Sequence, residues 1–336
     1  SSTSEIRAPY AYAMDLELLF LFSSCGPPTF LINNSRHDWK RLSCPQPEKL
    51  TQRMTMSGAG GNLPLLPLPP ATPLLLRAVG FCGIDDSVDV DGLLAISARA
   101  PWVEWGILFR PDTAGTPRYA SSEWLTSLSV ANAASADGDR PLRLAGHLCG
   151  DRVVELLRGD ADFVTSTHAA LGVRRFQINA TAVNGVDPSL VNAAAAALLR
   201  ATVAACPAVE FIMQRNEETR ALWEPFLSET PPNVSFLFDE SKGRGTLSAS
   251  YPCPPNGTLV GFAGGLGPAN LGAQLAAMRV AVAPRGEAIW VDMESSLREI
   301  VVSSDAGGGD IFSLARCEAC VATVEAMVAE RSVAMV

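Results

Sequence analysis

Histidine is scarce in this chain of 336 residues, which contains only His37, His147 and His168. So few imidazoles argue against a histidine-rich centre, and we expect no metal site. Long apolar runs are also lacking: none reaches the roughly 20 residues of a membrane-spanning helix, so no membrane partner is expected. Basic residues are outnumbered, with 26 lysines and arginines against 35 aspartates and glutamates. The resulting formal charge of −9 argues against nucleic acid as a partner.

The eight cysteines form no dense framework, since they are spread from Cys25 to Cys320. Scattered cysteines in a long chain are typical of reduced thiols in an intracellular protein. We therefore expect a cytoplasmic location, with organellar targeting by the N-terminal segment as the alternative. Cys317 and Cys320 form a CxxC pair, but they share helical spacing with three valines that follow. That pattern predicts a buried apolar helix face rather than a metal or redox pair.

The first 74 residues differ in pattern from the rest. The run LELLFLF at 16–22 is apolar but short, and prolines interrupt LPLLPLPPATPLLL at 63–76. Residues 1–74 are therefore predicted to be an irregular leader or linker, an organellar targeting region, or a segment outside the fold. A transit peptide should contain few acidic residues, but this segment includes Asp15, Glu17, Asp38 and Glu48.

From residue 75 onward, strand-like runs alternate mostly with helical patterns. The eight runs are RAVGFCGI (77–84), WVEWGILF (102–109), PLRLAGHL (141–148), RRFQINA (174–180), VEFIMQ (209–214), VSFLFD (234–239), LVGFA (259–263) and AIWVDM (288–293). Such alternation favours a parallel sheet, and about 255 residues approach the ~250 of a (β/α)8 barrel. A doubly wound open sheet is the alternative, but no GxGxxG motif follows the first run. We predict an α/β fold, a (β/α)8 TIM barrel over 75–336.

Residues with chemical potential stand where these runs stop, and a barrel carries its catalytic groups at the carboxyl ends of its strands. Cys82 ends the first run, Arg118 lies in the loop after the second, and Asp239 ends the sixth. Gly264 and Gly265 precede a predicted helix, where free N–H groups suit a phosphate. Each of these residues also has a purely structural interpretation. Cys82 would be a core thiol, Arg118 a surface charge and Asp239 a loop cap, and the two glycines would form a tight turn. Together they predict an acid/base site with an anion anchor.

Six stretches carry a resemblance to a known family: FCGI, PRYAS, FQINA, FDESKGRGT, FAGGLGPANL and WVDMESS. In order and spacing they resemble the signature stretches of phosphoribosylanthranilate isomerase, a (β/α)8 barrel of tryptophan biosynthesis. The resemblance covers about residues 77–330, and FAGGLGPANL is its most specific part. It implies an Amadori rearrangement of N-(5-phosphoribosyl)anthranilate, from aminoaldose to aminoketose, without a cofactor. The implied partner is a small phosphorylated substrate.

The resemblance also implies a role for each site residue. Asp239 would be the general acid that protonates the ribose ring oxygen. Cys82 would be the general base that takes a proton from the neighbouring sugar carbon, which suits a thiolate whose pKa is lowered by positive potential. Arg118 would lie near the anthranilate carboxylate, with Gln177 and Gly243 as further substrate contacts. The phosphate would be bound by Gly264, Gly265, Ser295 and Ser296.

The chain departs from the family pattern at several loops. Arg244 replaces a glycine after the sixth run, Glu294 lies in the loop after the eighth, and Asn179 replaces a histidine. His147, within GHLCG at 146–150, has no counterpart in the pattern; we predict a substrate-binding residue, with a structural histidine as the alternative. Three functions stay open: this isomerase, a related barrel that isomerises or binds a different phosphorylated metabolite, and a non-catalytic barrel that binds a ligand or protein.

Overall fold

A computed structural model describes residues 72–133, 139–252, 257–301 and 309–336, together with three strands near the N-terminus. The chain divides into two compact units, Ser1–Pro67 and Leu68–Val336. The first contains a three-stranded antiparallel sheet with the strands Leu16–Leu21 (β1), Thr29–Asn34 (β2) and Asp38–Leu42 (β3), in that order. The rest of the predicted leader up to residue 71 lies outside the described residues.

The second unit contains a closed barrel of eight parallel strands, which confirms the predicted fold. The strands are Leu74–Cys82 (β4), Val103–Phe109 (β5), Arg143–Leu148 (β6), Arg175–Ile178 (β7), Glu210–Arg215 (β8), Val234–Phe238 (β9), Val260–Phe262 (β10) and Ala288–Met293 (β11). Each strand pairs with the next along the chain, and β11 pairs with β4 to close the ring. The carboxyl ends of all eight therefore meet at one mouth.

Helices follow seven of the eight strands. They are Val90–Arg99 (α1), Ser122–Ala131 (α2), Asp151–Leu157 (α3), Asp162–Leu171 (α4), Ala193–Ala205 (α5), Arg220–Trp223 (α6), Leu271–Val282 (α7) and Leu314–Ala329 (α8). The connection from β9 to β10 is a loop in its described part and is rich in glycine. Side-chain caps fix where helices begin: Ser121 accepts the N–H of Trp124 at α2. Within the described ranges, no helix is both long and apolar enough to cross a membrane.

Two short strands after β11 fold over the mouth. Arg298–Val301 (β12) and Gly309–Phe312 (β13) pair antiparallel. The buried Arg298 extends from β12 to Asp85 and Asp310, at 2.7 Å each, and donates to the carbonyl of Gly83 at 2.8 Å. These bonds join the β12–β13 pair to the segment that follows β4. Val333–Met335 (β14) pairs with the start of β4 at the opposite end of the barrel.

The barrel interior is filled below the mouth by the side chains of Ala78, Ile212, Leu237 and Trp290. Gly261 has no side chain, which leaves the space that the Trp290 ring occupies. The guanidinium of Arg175 stacks on that ring at 4.3 Å and pairs with Glu104 at 2.5 Å and Glu210 at 3.1 Å. Because the interior is packed, a ligand entering at the mouth meets a closed floor.

Candidate active site

A cavity of about 310 Å³ opens at the carboxyl ends of the strands. Eight of the ten predicted site residues line it: His147, Gln177, Asp239, Gly243, Gly264, Gly265, Ser295 and Ser296. The other two, Cys82 and Arg118, do not. The lining also includes Asn179, Gln214, Asp292 and Glu294. The fold thus brings together residues more than a hundred positions apart.

Asp239 lies at the end of β9 and is held from three sides. Its carboxylate accepts hydrogen bonds from Gln214 Nε2 at 2.8 Å, from the backbone N–H of Gly243 at 2.9 Å and from Ser241 Oγ at 2.5 Å. Both oxygens are hydrogen-bonded. A protonated Asp239, the general acid that the resemblance implies, would carry its proton on the oxygen that faces the Ser241 hydroxyl, because that hydroxyl can accept as well as donate.

Cys82 is the last residue of β4 and is 1% exposed. Its Sγ, a ring nitrogen of His147 and a carboxylate oxygen of Asp292 all lie within 4.8 Å of one another. Burial raises the pKa of Cys82 well above its usual range, the carboxylates of Asp292 and Glu294 raise it further, and Arg118 lowers it by less. The condition for Cys82 to act as a thiolate, a thiol pKa lowered by the chain's own charges, is therefore not met, because burial disfavours the thiolate and the nearest charges are mostly negative.

The guanidinium of Arg118 forms ion pairs with two carboxylates of the same chain. Nη1 donates to Glu294 at 2.9 Å and Nε donates to Asp310 at 3.1 Å. Its backbone N–H donates to Asp85 at 2.6 Å, and its φ is +79°. The predicted contact of Arg118 with a substrate carboxylate would have to compete with Glu294. The ion pair between Arg118 and Glu294 exists because this chain has a glutamate at position 294, which is one of its departures from the family pattern.

Asp292, like Glu294, is a titratable lining residue to which the sequence-based prediction gives no role. Burial raises its pKa well above the usual range, and the charges of Glu104, Glu294 and Asp239 raise it further. No described residue donates a hydrogen bond to this carboxyl. Gly80 pairs with Asp292 across the barrel seam, and its missing side chain leaves room for the carboxyl. The only signal in the sequence was an acid at the end of the AIWVDM run.

His147 is buried on β6 beside Cys82. Burial, together with the smaller effect of the charge of Arg175, lowers the pKa of the imidazole to about 3, so the ring is neutral near pH 7. A Cβ at position 106 would lie 2.8 Å from Nε2 of His147 and 2.8 Å from Cα of Cys82. Gly106 therefore allows the imidazole and the thiol to share one space at the top of the interior.

The twin glycines adopt left-handed backbone conformations, with φ of +103° at Gly264 and +65° at Gly265. A Cβ on Gly265 would lie 2.7 Å from the backbone nitrogen of Leu247. The loop after β9 thus packs on this turn, and the glycines permit that close approach. The backbone N–H groups of both glycines make no hydrogen bond to any described residue. They are free to bind an anion in the cavity.

Ser295 and Ser296 lie beside the same turn. Ser296 Oγ donates to the carbonyl of Leu266, and Ser295 Oγ lies 3.5 Å from Nη1 of Arg118. Among the described lining residues there is no lysine or arginine, whereas Asp239, Asp292 and Glu294 are acidic. An anion bound here would therefore depend on backbone N–H groups and hydroxyls.

The arginines gather at the other end of the barrel. A second cavity, of about 530 Å³, lies at the amino ends of the strands and is lined by Arg77, Arg140, Arg143, Arg174 and Arg175 with Glu104, Asp139 and Glu210. Several of these form ion pairs: Arg77 with Glu210 at 3.2 Å, and Arg175 with Glu104 and Glu210. These ion pairs at the amino ends suit barrel stability, since catalysis in this fold occurs at the carboxyl ends.

No protein-family model matches the chain, and no curated protein sequence matches it. The likeness to phosphoribosylanthranilate isomerase is therefore a likeness of short motifs. What stands beside it is the geometry of the cavity: a hydrogen-bonded carboxylate, a second carboxyl with a raised pKa, a neutral imidazole and a glycine turn with free N–H groups.

Proposed function

We propose that this barrel is a cofactor-independent acid/base isomerase of a phosphorylated sugar, with N-(5-phosphoribosyl)anthranilate as its substrate. The observation that carries the proposal is that two carboxyl groups, Asp239 and Asp292, face one cavity in different environments. Asp239 accepts three hydrogen bonds, whereas Asp292 accepts none from the described residues and has a raised pKa. Two carboxyl groups in such contrasting surroundings suit a proton acceptor and a proton donor.

The geometry favours one division of roles. Asp292, whose raised pKa favours its protonated form, donates a proton to the ribose ring oxygen and opens the ring to a Schiff base. Asp239 then takes the proton from the neighbouring sugar carbon, whose acidity the iminium increases. The free N–H groups of Gly264 and Gly265 hold the phosphate. The division implied by the resemblance, Asp239 as donor and Cys82 as acceptor, is the alternative.

Three variants test the proposal through the loss of anthranilate fluorescence when the substrate turns over. Asp239→Asn should lower kcat by about 100-fold or more under either division. Asp292→Asn should do the same, and Cys82→Ser should keep most of the activity, if the two carboxyl groups share the chemistry. The reverse result would favour the Cys82 division. Asp91→Asn, an exposed residue in the first turn of α1, is the control. Absence of turnover by the folded protein would contradict the isomerase proposal.

One observation favours a second candidate, a barrel acting on a phosphorylated metabolite that lacks the aromatic acid. Arg118 is engaged by Glu294 and Asp310, and no arginine or lysine lines the described cavity. A substrate carboxylate would thus find no free cation. Binding of ribose 5-phosphate, measured by calorimetry and abolished by Gly265→Ala, without turnover of the anthranilate substrate would support this candidate.

A further inference from the structure

Three potential metal ligands meet at the top of the barrel interior. Sγ of Cys82, a ring nitrogen of His147 and a carboxylate oxygen of Asp292 lie within 4.8 Å of one another, and all three residues are buried. They come from β4, β6 and β11, so rigid strands hold each of them. Ligands around a tetrahedral zinc ion are roughly 3.3–3.8 Å apart. Closing the three onto one ion therefore requires a shift of about 1 Å between the furthest pair.

These three side chains have no hydrogen-bond partner among the described residues. Neither the imidazole of His147 nor the carboxyl of Asp292 nor the thiol of Cys82 makes a hydrogen bond to a described residue. The side-chain nitrogens and oxygens of His147 and Asp292 are not among the buried atoms that lack a partner, so they are open to the cavity and accessible to an ion. Gly106 and Gly80 provide the space in which they meet, since a side chain at either position would collide with a member of the cluster.

The charge around the cluster also suits a cation. Glu294 and Asp239 line the same cavity as Asp292, and Glu104 lies near enough to raise the pKa of Asp292. Arg118, Arg175 and Arg298 face this region from the loop after β5, from β7 and from β12, but each is paired with carboxylates. A dication would be neutralised by the thiolate of Cys82 and the carboxylate of Asp292, neither of which forms an ion pair with a described arginine.

We propose that Cys82, His147 and Asp292 form a binding site for a divalent transition metal of the zinc class. One sulfur, one nitrogen and one oxygen donor match Zn²⁺ or Co²⁺, whereas Mg²⁺ and Ca²⁺ take oxygen ligands. The neutral imidazole is already in the form that binds metal. Binding releases the thiol proton to solvent, together with the proton of the Asp292 carboxyl in the chains where that carboxyl is protonated. His147 and Asp292 line the cavity, so the fourth coordination position faces it, as in zinc sites with three protein ligands.

The site has a consequence for activity that rests on the proposed function. A bound ion occupies Asp292 and Cys82 together, and so removes the proton donor of one division of roles and the proton acceptor of the other. Zn²⁺ should therefore inhibit the isomerase, and EDTA should restore it. If the anthranilate substrate is not turned over at all, the proposed function fails, while the metal site is still decided by the spectroscopy below.

The direct test is the Co²⁺ spectrum of the full, untagged, reduced chain. We expect one Co²⁺ per chain, with a near-ultraviolet thiolate-to-metal charge-transfer band and visible bands of tetrahedral intensity, both abolished by added Zn²⁺. Cys82→Ser should lose the charge-transfer band. His147→Gln and Asp292→Asn should weaken Zn²⁺ binding, measured against a chromogenic chelator, by roughly 10-fold or more.

The matched control is Cys320→Ser, which alters another buried thiol, on α8, that pairs in sequence with Cys317. It should leave the Co²⁺ spectrum unchanged. Circular dichroism verifies that each variant is folded. The proposal is overturned if folded wild-type protein gives no charge-transfer band, or if the band survives Cys82→Ser and disappears with Cys320→Ser. The wild-type spectrum decides the matter even where a variant does not fold.

Discussion

Two buried residues of the cavity respond to desolvation in opposite directions. Burial lowers the pKa of His147 to about 3 and raises the pKa of Asp292 well above its usual range. The imidazole of His147 is therefore neutral near pH 7, and the carboxyl of Asp292 keeps its proton to a higher pH than an ordinary aspartate. Their contributions to stability oppose each other as the pH falls: the folded chain resists protonation at His147 and favours it at Asp292.

The first prediction concerns His147 and pH. Below about pH 6.5 the unfolded chain takes up a proton on this imidazole, whereas the folded chain does not. The free energy of unfolding therefore decreases as the pH falls. The loss amounts to about 1.4 kcal/mol per pH unit, hence about 2 kcal/mol at pH 5. His147→Gln should abolish it. Urea unfolding at pH 7 and pH 5 measures the difference between variant and wild type.

Asp292→Asn is the counterpart with the opposite sign. Because the folded chain holds the Asp292 proton more tightly than the unfolded chain, this residue adds stability as the pH falls towards ~4. The variant should therefore lose stability on acidification more steeply than wild type. Equal slopes for wild type, His147→Gln and Asp292→Asn would mean that these groups are hydrated rather than buried.

The second prediction concerns Glu294, which contributes a negative charge to the cavity and occupies Arg118. Glu294→Gln removes the charge and weakens the hold on the guanidinium. Inorganic phosphate should then bind roughly ten times more tightly. The repulsion between two unit charges about 8 Å apart, at an effective dielectric constant near 20, is about 2 kcal/mol before screening by salt. Calorimetry at fixed ionic strength measures the affinity.

The control for Glu294 is Glu318→Gln, on the exposed side of α8, where Glu318 lies 3.8 Å from Arg99. It should leave phosphate affinity unchanged. A gain seen equally in both variants would point to net charge rather than to the cavity. Phosphate binding that is lost in Arg143→Gln would locate the anion at the amino ends of the strands, and would contradict the assignment of the glycine turn.

At the scale of elements, the loop after β9 packs closely against the glycine turn after β10. Gly265 allows the backbone of Leu247 and Gly245 to approach within 2.9 Å of where a Cβ would stand. The same loop carries Ser241 and Gly243, which hold the carboxylate of Asp239. The glycine turn therefore supports the position of Asp239 as well as offering its N–H groups to an anion.

The third prediction separates these contacts from backbone strain. Gly265 and Gly286 have nearly the same φ, +65° and +68°, but a Cβ on Gly286 would meet nothing within 4 Å. Gly286→Ala should lower the free energy of unfolding by about 1 kcal/mol, which is the cost of placing a Cβ on a residue with a left-handed backbone. Gly265→Ala should cost a further 1–3 kcal/mol, roughly, because the loop after β9 must move. Urea unfolding compares the two, and phosphate affinity should fall only in Gly265→Ala.

The fourth prediction concerns the β12–β13 pair. Arg298→Met would leave Asp85 without its guanidinium partner in a site where both side chains are nearly fully buried. The expected loss of stability is about 3–5 kcal/mol. Arg220→Met, which removes exposed pairs to Glu217 and Glu224 on α6, should cost less than about 1 kcal/mol. Similar losses for the two variants would contradict the role of Arg298 as a buried link.

At the scale of the whole molecule, the barrel could be predicted because its signal is local. Each predicted run coincides with one strand, since apolar β-rich runs separated by helical patterns leave few other architectures. The mouth could be predicted too, because parallel strands bring residues such as Asp239 and Gly264 to one end. These inferences need only chain order and the rule that strand ends converge.

What the sequence could not predict is how side chains partner across the mouth. Arg118 and Glu294 are 176 positions apart, and only the closed ring reveals that they pair. The raised pKa of Cys82 comes first from burial and then from Asp292, which is far away in sequence but lies on β11, the strand that pairs with β4. The cluster with His147 requires the absence of a side chain at Gly106, which has no meaning until β5 lies between β4 and β6.

The central claim is that the cavity at the carboxyl ends isomerises N-(5-phosphoribosyl)anthranilate. Rescue of a tryptophan auxotroph that lacks this one step tests it most directly. We expect the chain to restore growth without tryptophan, and Asp239→Asn, expressed to the same level, to fail. Failure of the wild-type chain to restore growth, while it accumulates as a folded protein, would contradict the claim.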